Sequence, residues 1–239
     1  MTPALAVAKR EFRTFFNSPI AYIVLGGFLL VGGWLYFATL FLAGQASLRS
    51  FFSIAPFLFA LFLPAVTMRA IAEERKSGTL ELLLTMPLQD WEVVVGKFLA
   101  ALAMVATGLL FTLPYAFSVA SLTAPGASFD WGSTAAGYLG LLLLASSFLA
   151  LGLWASAMSK NQIISFIVGL LLCLSFYLVD KFAMLLPESL GQAVEYLSVD
   201  YHFENIARGV LDTRDLLFYF SLTAAGLVLT TRSLAATRQ

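Results

Sequence analysis

The sequence predicts an all-α integral membrane protein with six spanning helices, on three observations. Of its 239 residues 60% are apolar and 12% are charged, and the mean hydropathy is +0.88, whereas soluble domains carry about 25% charged residues. Six segments each supply the roughly 20 apolar residues that a bilayer crossing needs. The Lys and Arg residues fall between those segments or near their ends, and none lies at a span centre. A surface this poor in charge faces lipid over much of its area.

The first element is a helix over residues 2–17. On a helical wheel Leu5, Ala8, Phe12, Phe15 and Phe16 share a face, with Lys9, Arg10 and Arg13 on its flank. This is the pattern of an amphipathic helix lying in the membrane interface with its basic groups near anionic headgroups. Asn17-Ser18-Pro19 breaks it and starts the first span, residues 20–42. A cleaved signal peptide is the competing reading, since Gly44-Gln45-Ala46 loosely suits a cleavage site. The apolar run from Ile20 is longer than the about 7–15 residues of a signal core, which favours a span.

The other spans fall near residues 52–72, 94–118, 134–158, 163–186 and 215–234. The loops after the first and third spans are short. The stretch 187–214 is longer and amphipathic: Leu190, Val194, Leu197, Phe203, Ile206 and Val210 alternate with Glu188, Glu195, Asp200, Glu204 and Arg208. It predicts one or two short helices at the outer membrane surface or dipping into it. Trp34, Trp91, Trp131, Tyr138, Trp154 and Tyr177 include several near the expected membrane interfaces, which suits a spanning bundle. No internal repeat and no separate soluble domain is visible.

Six spans put both termini on one side. Lys9, Arg10, Arg13, Arg69, Arg75, Lys76, Lys97, Lys160, Arg232 and Arg238 share that side; Arg49, Lys181, Arg208 and Arg214 share the other. Ten against four places the termini in the cytoplasm by the positive-inside rule. A formal net charge of zero names no bulk electrostatic partner and leaves no footprint for nucleic acid.

The loop 73–93 is then cytoplasmic, and it is the most informative stretch. Glu73-Glu74-Arg75-Lys76 closes the second span. Gly78 permits a turn. Ser77 or Thr79 can cap a new helix with Glu81 in its first turn, and Pro87 ends it. Asp90 reads as the N-cap of the third span, with Glu92 in its first turn. The result is a helical elbow of about 8–10 residues carrying Leu80, Leu82, Leu83, Leu84, Met86 and Leu88. Two destinations suit that apolar face equally on physical grounds: the bilayer surface, or a groove on another protein.

The run from Ala72 through Glu73-Glu74-Arg75-Lys76-Ser77-Gly78-Thr79-Leu80-Glu81-Leu82-Leu83-Leu84 to Thr85, with Pro87 and Gly96-Lys97, resembles the signature cytoplasmic loop of ABC-2-type transporter permeases. The six-span plan, the interfacial helix and the long last outer loop fit the same family. Ser18-Pro19-Ile20-Ala21-Tyr22-Ile23-Val24 and the segment 203–215 are similar to the permease of gliding-motility-type ABC systems. The resemblance implies that the elbow is a coupling helix gripped by a separate cytoplasmic ATPase, with Glu73, Glu74, Arg75, Gly78, Thr79, Glu81, Leu82 and Leu83 as the coupling residues. It implies a second permease copy or a related membrane subunit, and allows an auxiliary subunit with an extracytoplasmic domain. ATP and magnesium would then belong to the partner.

Other chemistries lack their residues. No Gly-x4-Gly-Lys-Ser/Thr phosphate loop is present; Gly96-Lys97-Phe98 and Lys76-Ser77 lack its glycines. Glu73-Glu74 superficially suits a membrane metalloprotease, but a catalytic zinc usually takes three protein ligands, and the one histidine, His202, is expected on the opposite side. Ser146, Ser147 and Ser165 are expected to bond helix carbonyls. Cys173 is the one cysteine, which excludes an internal disulfide. An ion-coupled carrier would show ionisable groups near the bilayer centre, and none is expected here, although Pro56, Pro64 and Pro114 could bend helices around a pathway. A non-transporting anchor or scaffold fits the basic first helix and small-residue sites such as Gly26-Gly27 and Gly32-Gly33.

Overall fold

A computed structural model describes residues 2–43, 47–79, 88–123, 129–183 and 185–236. The described chain forms α1 (Pro3–Asn17), α2 (Pro19–Ala43), α3 (Arg49–Thr67), α4 (Ala72–Ser77), α5 (Asp90–Leu110), α6 (Leu113–Leu122), α7 (Trp131–Met158), α8 (Gln162–Ala183), α9 (Glu188–Glu195), α10 (Val199–Ala207) and α11 (Thr213–Ala235). Six helical stretches among them are long and apolar enough to cross a membrane: Pro19–Leu42, Arg49–Ser77, Asp90–Leu122, Trp131–Met158, Gln162–Ala183 and Thr213–Ala235.

α7 is the central post. It packs against α3, α5, α8, α10 and α11, and Leu141, Leu144, Phe148, Leu149 and Leu153 are fully buried along it. The hydroxyls of α7 do more than close on their own helix. Ser147 Oγ donates to the Tyr219 carbonyl at 3.2 Å, and Ser146 Oγ lies 3.0 Å from Thr223 Oγ1. They staple α7 to α11. Ser165 Oγ donates to the Asn161 carbonyl within α8. Cys173 is buried against the Phe148 carbonyl.

Two spans that read as continuous are broken. The third stops at Leu110 and resumes at Leu113. Pro114 supplies no N–H for the Leu110 carbonyl, and its ring crowds that oxygen. Thr112 Oγ1 then donates to the Leu109 carbonyl at 2.7 Å, and Tyr138 Oη donates to the Thr112 carbonyl at 3.1 Å. Tyr138 therefore serves the break rather than an interfacial belt. Trp34, 77% exposed in the middle of α2, is not at a helix end either. Trp91 and Trp131 do sit, half exposed, at the starts of α5 and α7.

Within the stretch Arg49–Ser77 helix α3 ends at Thr67, and the charged cluster sits on the separate helix α4. Met68 N–H still reaches the Pro64 carbonyl, and Ala70 N–H reaches that of Thr67. The next two amides turn to another helix. Ser156 Oγ of α7 accepts from Ile71 N–H and from Ala72 N–H, each at 3.1 Å, and lies 3.1 Å from the Met68 carbonyl. Ser156, Ile71 and Ala72 are all fully buried. One hydroxyl thus satisfies the backbone that the break leaves open.

That contact generates a test. Ser156→Ala removes no bulk, but it orphans two buried amides. Each should cost about 1–3 kcal/mol, read as a lower thermal midpoint in detergent. Ser165→Ala, which loses only a bond back to its own helix, should leave the midpoint nearly unchanged.

Candidate functional site

At the end of the bundle that carries α1 and α4, the starts of α5 and α8, and the ends of α7 and α11, the charges form a connected cluster. Its centre is Lys97, the eighth residue of α5. That position is about 10 Å into the helix at 1.5 Å rise per residue. The Lys97 side chain is 2% exposed. Its Nζ donates to Glu74 Oε1 on α4 at 2.7 Å and to Glu11 Oε1 on α1 at 3.3 Å. Arg10 donates to the same Glu11 oxygen at 2.7 Å. One ammonium therefore ties three helices.

Each helix presents its group for a local reason. In α1, Ala4, Val7, Ala8 and Glu11 fall on one stripe at three- and four-residue spacing. The first three are buried, and α1 lies against α5. Gly96 makes the approach possible: a Cβ there would sit 2.7 Å from Val7 Cβ and 2.8 Å from the Ala4 carbonyl oxygen. This contact shares Ala8 with the apolar face read from the sequence and adds Ala4 and Val7 beside it. Leu5 is 52% exposed, and the smaller residues make the protein contact, because only they let α1 come close enough to Lys97. Phe12 and Phe16 form a ring pair at 4.9 Å and are partly buried.

α4 is held from two sides. Ser156 takes its first amides, as above. At its exposed flank Arg69 grips Glu73 in a two-pronged pair, 2.6 Å from Nε to Oε2 and 2.8 Å from Nη2 to Oε1, and its other nitrogen lies 3.4 Å from Ser18 Oγ. The helix ends where Gly78 adopts φ 72°, ψ 2°, the left-handed conformation that glycine takes without penalty. Ser77 Oγ and Thr79 Oγ1 are 2.8 Å apart across that turn, and Ser77 Oγ donates to the Glu73 carbonyl.

A cleft of about 460 Å³ opens between these helices, lined by Arg10, Glu11, Arg69, Glu73, Glu74 and Lys97 among others. Three cations face three carboxylates, so the cleft is polar but balanced. The Glu74 Oε2 atom is buried there and accepts no hydrogen bond among the described residues. Burial pushes the Glu11 carboxyl up. The Lys97 ammonium and the Arg10 guanidinium outweigh that effect and hold it below the ordinary glutamate range. No group of three or more His, Cys, Asp or Glu side chains among the described residues is placed to hold a metal ion.

Of the residues singled out in the sequence, the structure gathers Glu73, Glu74 and Arg75 on one short helix ending at Gly78, with Thr79 beyond it. Glu81, Leu82 and Leu83 lie outside the described residues, as does the elbow helix itself. Asp90 is not the N-cap of the third span. Gln89 is: its side chain accepts from the amide of Glu92, and Glu92 Oε2 accepts from Gln89 N–H at 2.9 Å. The amide-bearing Gln wins because this reciprocal box satisfies two open amides, where a lone Asp would satisfy one. Asp90 takes the first turn instead. Helix α5 thus begins inside the stretch 73–93 that reads as loop.

Lys97, Glu11, Arg69 and Ser156 were not among the sequence candidates. Lys97 reads as a boundary residue, yet it is buried. The available signal was Glu11, the one acid in a basic helix, in register with the small residues Ala4, Val7 and Ala8.

The ion cluster makes two tests. Lys97→Met leaves Glu11 and Glu74 without the buried cation they share, with only the half-exposed Arg10 beside them, and should destabilise the protein by about 3 kcal/mol. The pH dependence follows from Glu11. A carboxyl depressed in the folded state stabilises above its ordinary titration range, and that contribution is lost as pH falls through the folded value. Melting temperature should therefore drop on acidification below about pH 4, and Glu11→Gln should flatten part of that acid limb.

A family model described as ABC-2 family transporter protein matches residues 5–235. The match takes in every helix from α1 to α11 apart from the first two residues of α1. No curated protein matches the chain.

Proposed function

The chain belongs to the ABC-2 family of transporter proteins, and from that premise we propose that it is the membrane-spanning permease subunit of an ATP-driven exporter in a bacterial inner membrane. Both termini and the α4 end of the bundle face the cytoplasm in this reading, as the distribution of Lys and Arg favours. ATP and magnesium are bound by a separate cytoplasmic ATPase. That subunit grips the segment after Gly78 as a coupling helix, with Leu82 and Leu83 in its groove and Glu73, Arg75, Thr79 and Glu81 at the rim. Two permease subunits, either two copies or this chain with a related one, complete the transporter. Similarity over residues 18–24 and 203–215 favours a gliding-type system, with room for an auxiliary extracytoplasmic subunit.

The observation that carries the reading is the 2.7 Å contact between Glu74 and Lys97. Ser156 and Arg69 hold the start and one flank of this six-residue helix, but neither joins it to α1 or α5. Here its acid is fixed to α5 and, through the same ammonium, to α1. A displacement applied beyond Gly78 would move α4, α1 and the first turns of the third span together, since packed elements shift as units. The central turns of the six long helices carry no Asp, Glu, Lys or Arg, which suits an amphipathic or lipid-linked substrate better than a small ion.

Copurification in mild detergent tests the class. An ATP-binding subunit should accompany the chain, two of each per complex. Leu82→Asp should release that subunit or leave its turnover unstimulated while all six spans still insert. Lys97→Met should keep the ATPase attached but weaken its coupling to transport. The reading fails if no nucleotide-binding partner copurifies, or if the Leu82→Asp protein holds and stimulates one normally.

A further inference from the structure

At the opposite end of the bundle from Lys97 lies a second buried ionic pair that the coupling reading does not use. His202, the single histidine of the chain, is on α10 and fully buried. Its Nδ1 is 2.6 Å from Asp215 Oδ1, in the first turn of α11. Its Nε2 is 3.0 Å from the backbone oxygen of Tyr196, the residue that closes α9. Phe218 stacks on the ring at 4.1 Å, and Tyr196 and Tyr201 meet it edge-on.

Both polar neighbours of the ring are acceptors. A neutral imidazole has one N–H and one lone pair. With the proton on Nε2, a lone pair would face the carboxylate; with it on Nδ1, a lone pair would face the carbonyl. Only the imidazolium donates to both. Asp215 points the same way. Its side chain is 4% exposed, and its Oδ2 has no hydrogen-bond partner among the described residues. A lone carboxylate there would be an uncompensated buried charge. The same single proton resolves both problems.

We propose that His202 and Asp215 form a proton-binding site, an imidazolium–carboxylate pair that latches α9 and α10 onto α11. Among the described residues, the other ionisable side chains whose rings meet that of His202 are Tyr196, Tyr201 and Tyr219, and none of them is a cation. Tyr219 Oη is committed to the Val199 carbonyl at 2.7 Å. The nearest cation on α8, Lys181, is committed to Asp180 and Asp200 at 2.6 and 3.1 Å. Loss of the proton removes one of the two bonds from His202, so the α9–α10 cap loosens as pH rises.

Because the chain has one histidine, a nitrogen-15 histidine spectrum of the full-length protein in nanodiscs, purified on a tag without histidine, reports this site alone. At pH 7 both ring nitrogens should carry protons. In Asp215→Asn the amide can donate to Nδ1, so His202 should become neutral with its proton kept on Nε2 and the Tyr196 bond retained. Amide exchange over residues 190–206, corrected for its intrinsic pH dependence, should accelerate on the order of tenfold as the wild-type site loses its proton, the scale of one charge-assisted bond. Asp215→Asn should show no such step. A bare ring nitrogen in the wild type at pH 7, a doubly protonated ring in Asp215→Asn, or the same pH response of exchange in both proteins overturns the proposal.

Discussion

The Lys97 ammonium is the constraint on which the α4 end of the molecule depends. Removing a lysine from water is costly, and an apolar contact of the same volume would often hold helices as well or better. What the charge adds is register. Glu74 and Glu11 must both reach one nitrogen, so α4 and α1 each have one acceptable position against α5. The close approach at Gly96 belongs to the same device, since it lets the α1 backbone lie near enough for Glu11 to reach.

The break before α4 makes that register useful. A continuous second span would carry Glu73 and Glu74 rigidly on the α3 axis. The chain instead leaves the helix after Thr67 and restarts at Ala72, with Ser156 of α7 satisfying the amides between. α4 is thus attached to the central post by hydrogen bonds and to α1 and α5 by ion pairs, with little apolar burial of its own: Ala72 is its one buried residue. Polar attachments of this kind exchange partners more readily than a packed core repacks, which is the behaviour wanted at a joint.

The six long helices were legible because a run of roughly 20 apolar residues is a local property. The left-handed turn at Gly78 was legible for the same reason, glycine being the residue that takes positive φ freely. The features that differ all depend on distant residues. The end of α3 is set with Ser156, some 85 positions away, so no periodicity in the sequence shows it. Lys97 looks interfacial until Glu11, 86 positions earlier, is brought against it. Tyr138 reads as a belt residue until Thr112 supplies a carbonyl inside the bundle. Pro114 announced the break in the third span, but the sequence alone did not choose between a bend and a stop.

The two buried ionic groups, at opposite ends of the bundle, differ in kind. At the α4 end the cation is a lysine, held by carboxylates that remain partly exposed. One ammonium is shared by two carboxylates, so it sets the positions of two helices at once. At the α10 end the cation is a histidine, shielded from solvent on every side. Its charge is the one among common side chains that can change near neutral pH. A lysine at position 202 would bring the same charge without the flat ring that Phe218 stacks on, and it would never release it. If the α4 end passes motion to the bundle and the α10 end opens, as proposed above, a lysine at the first and a histidine at the second match those two tasks.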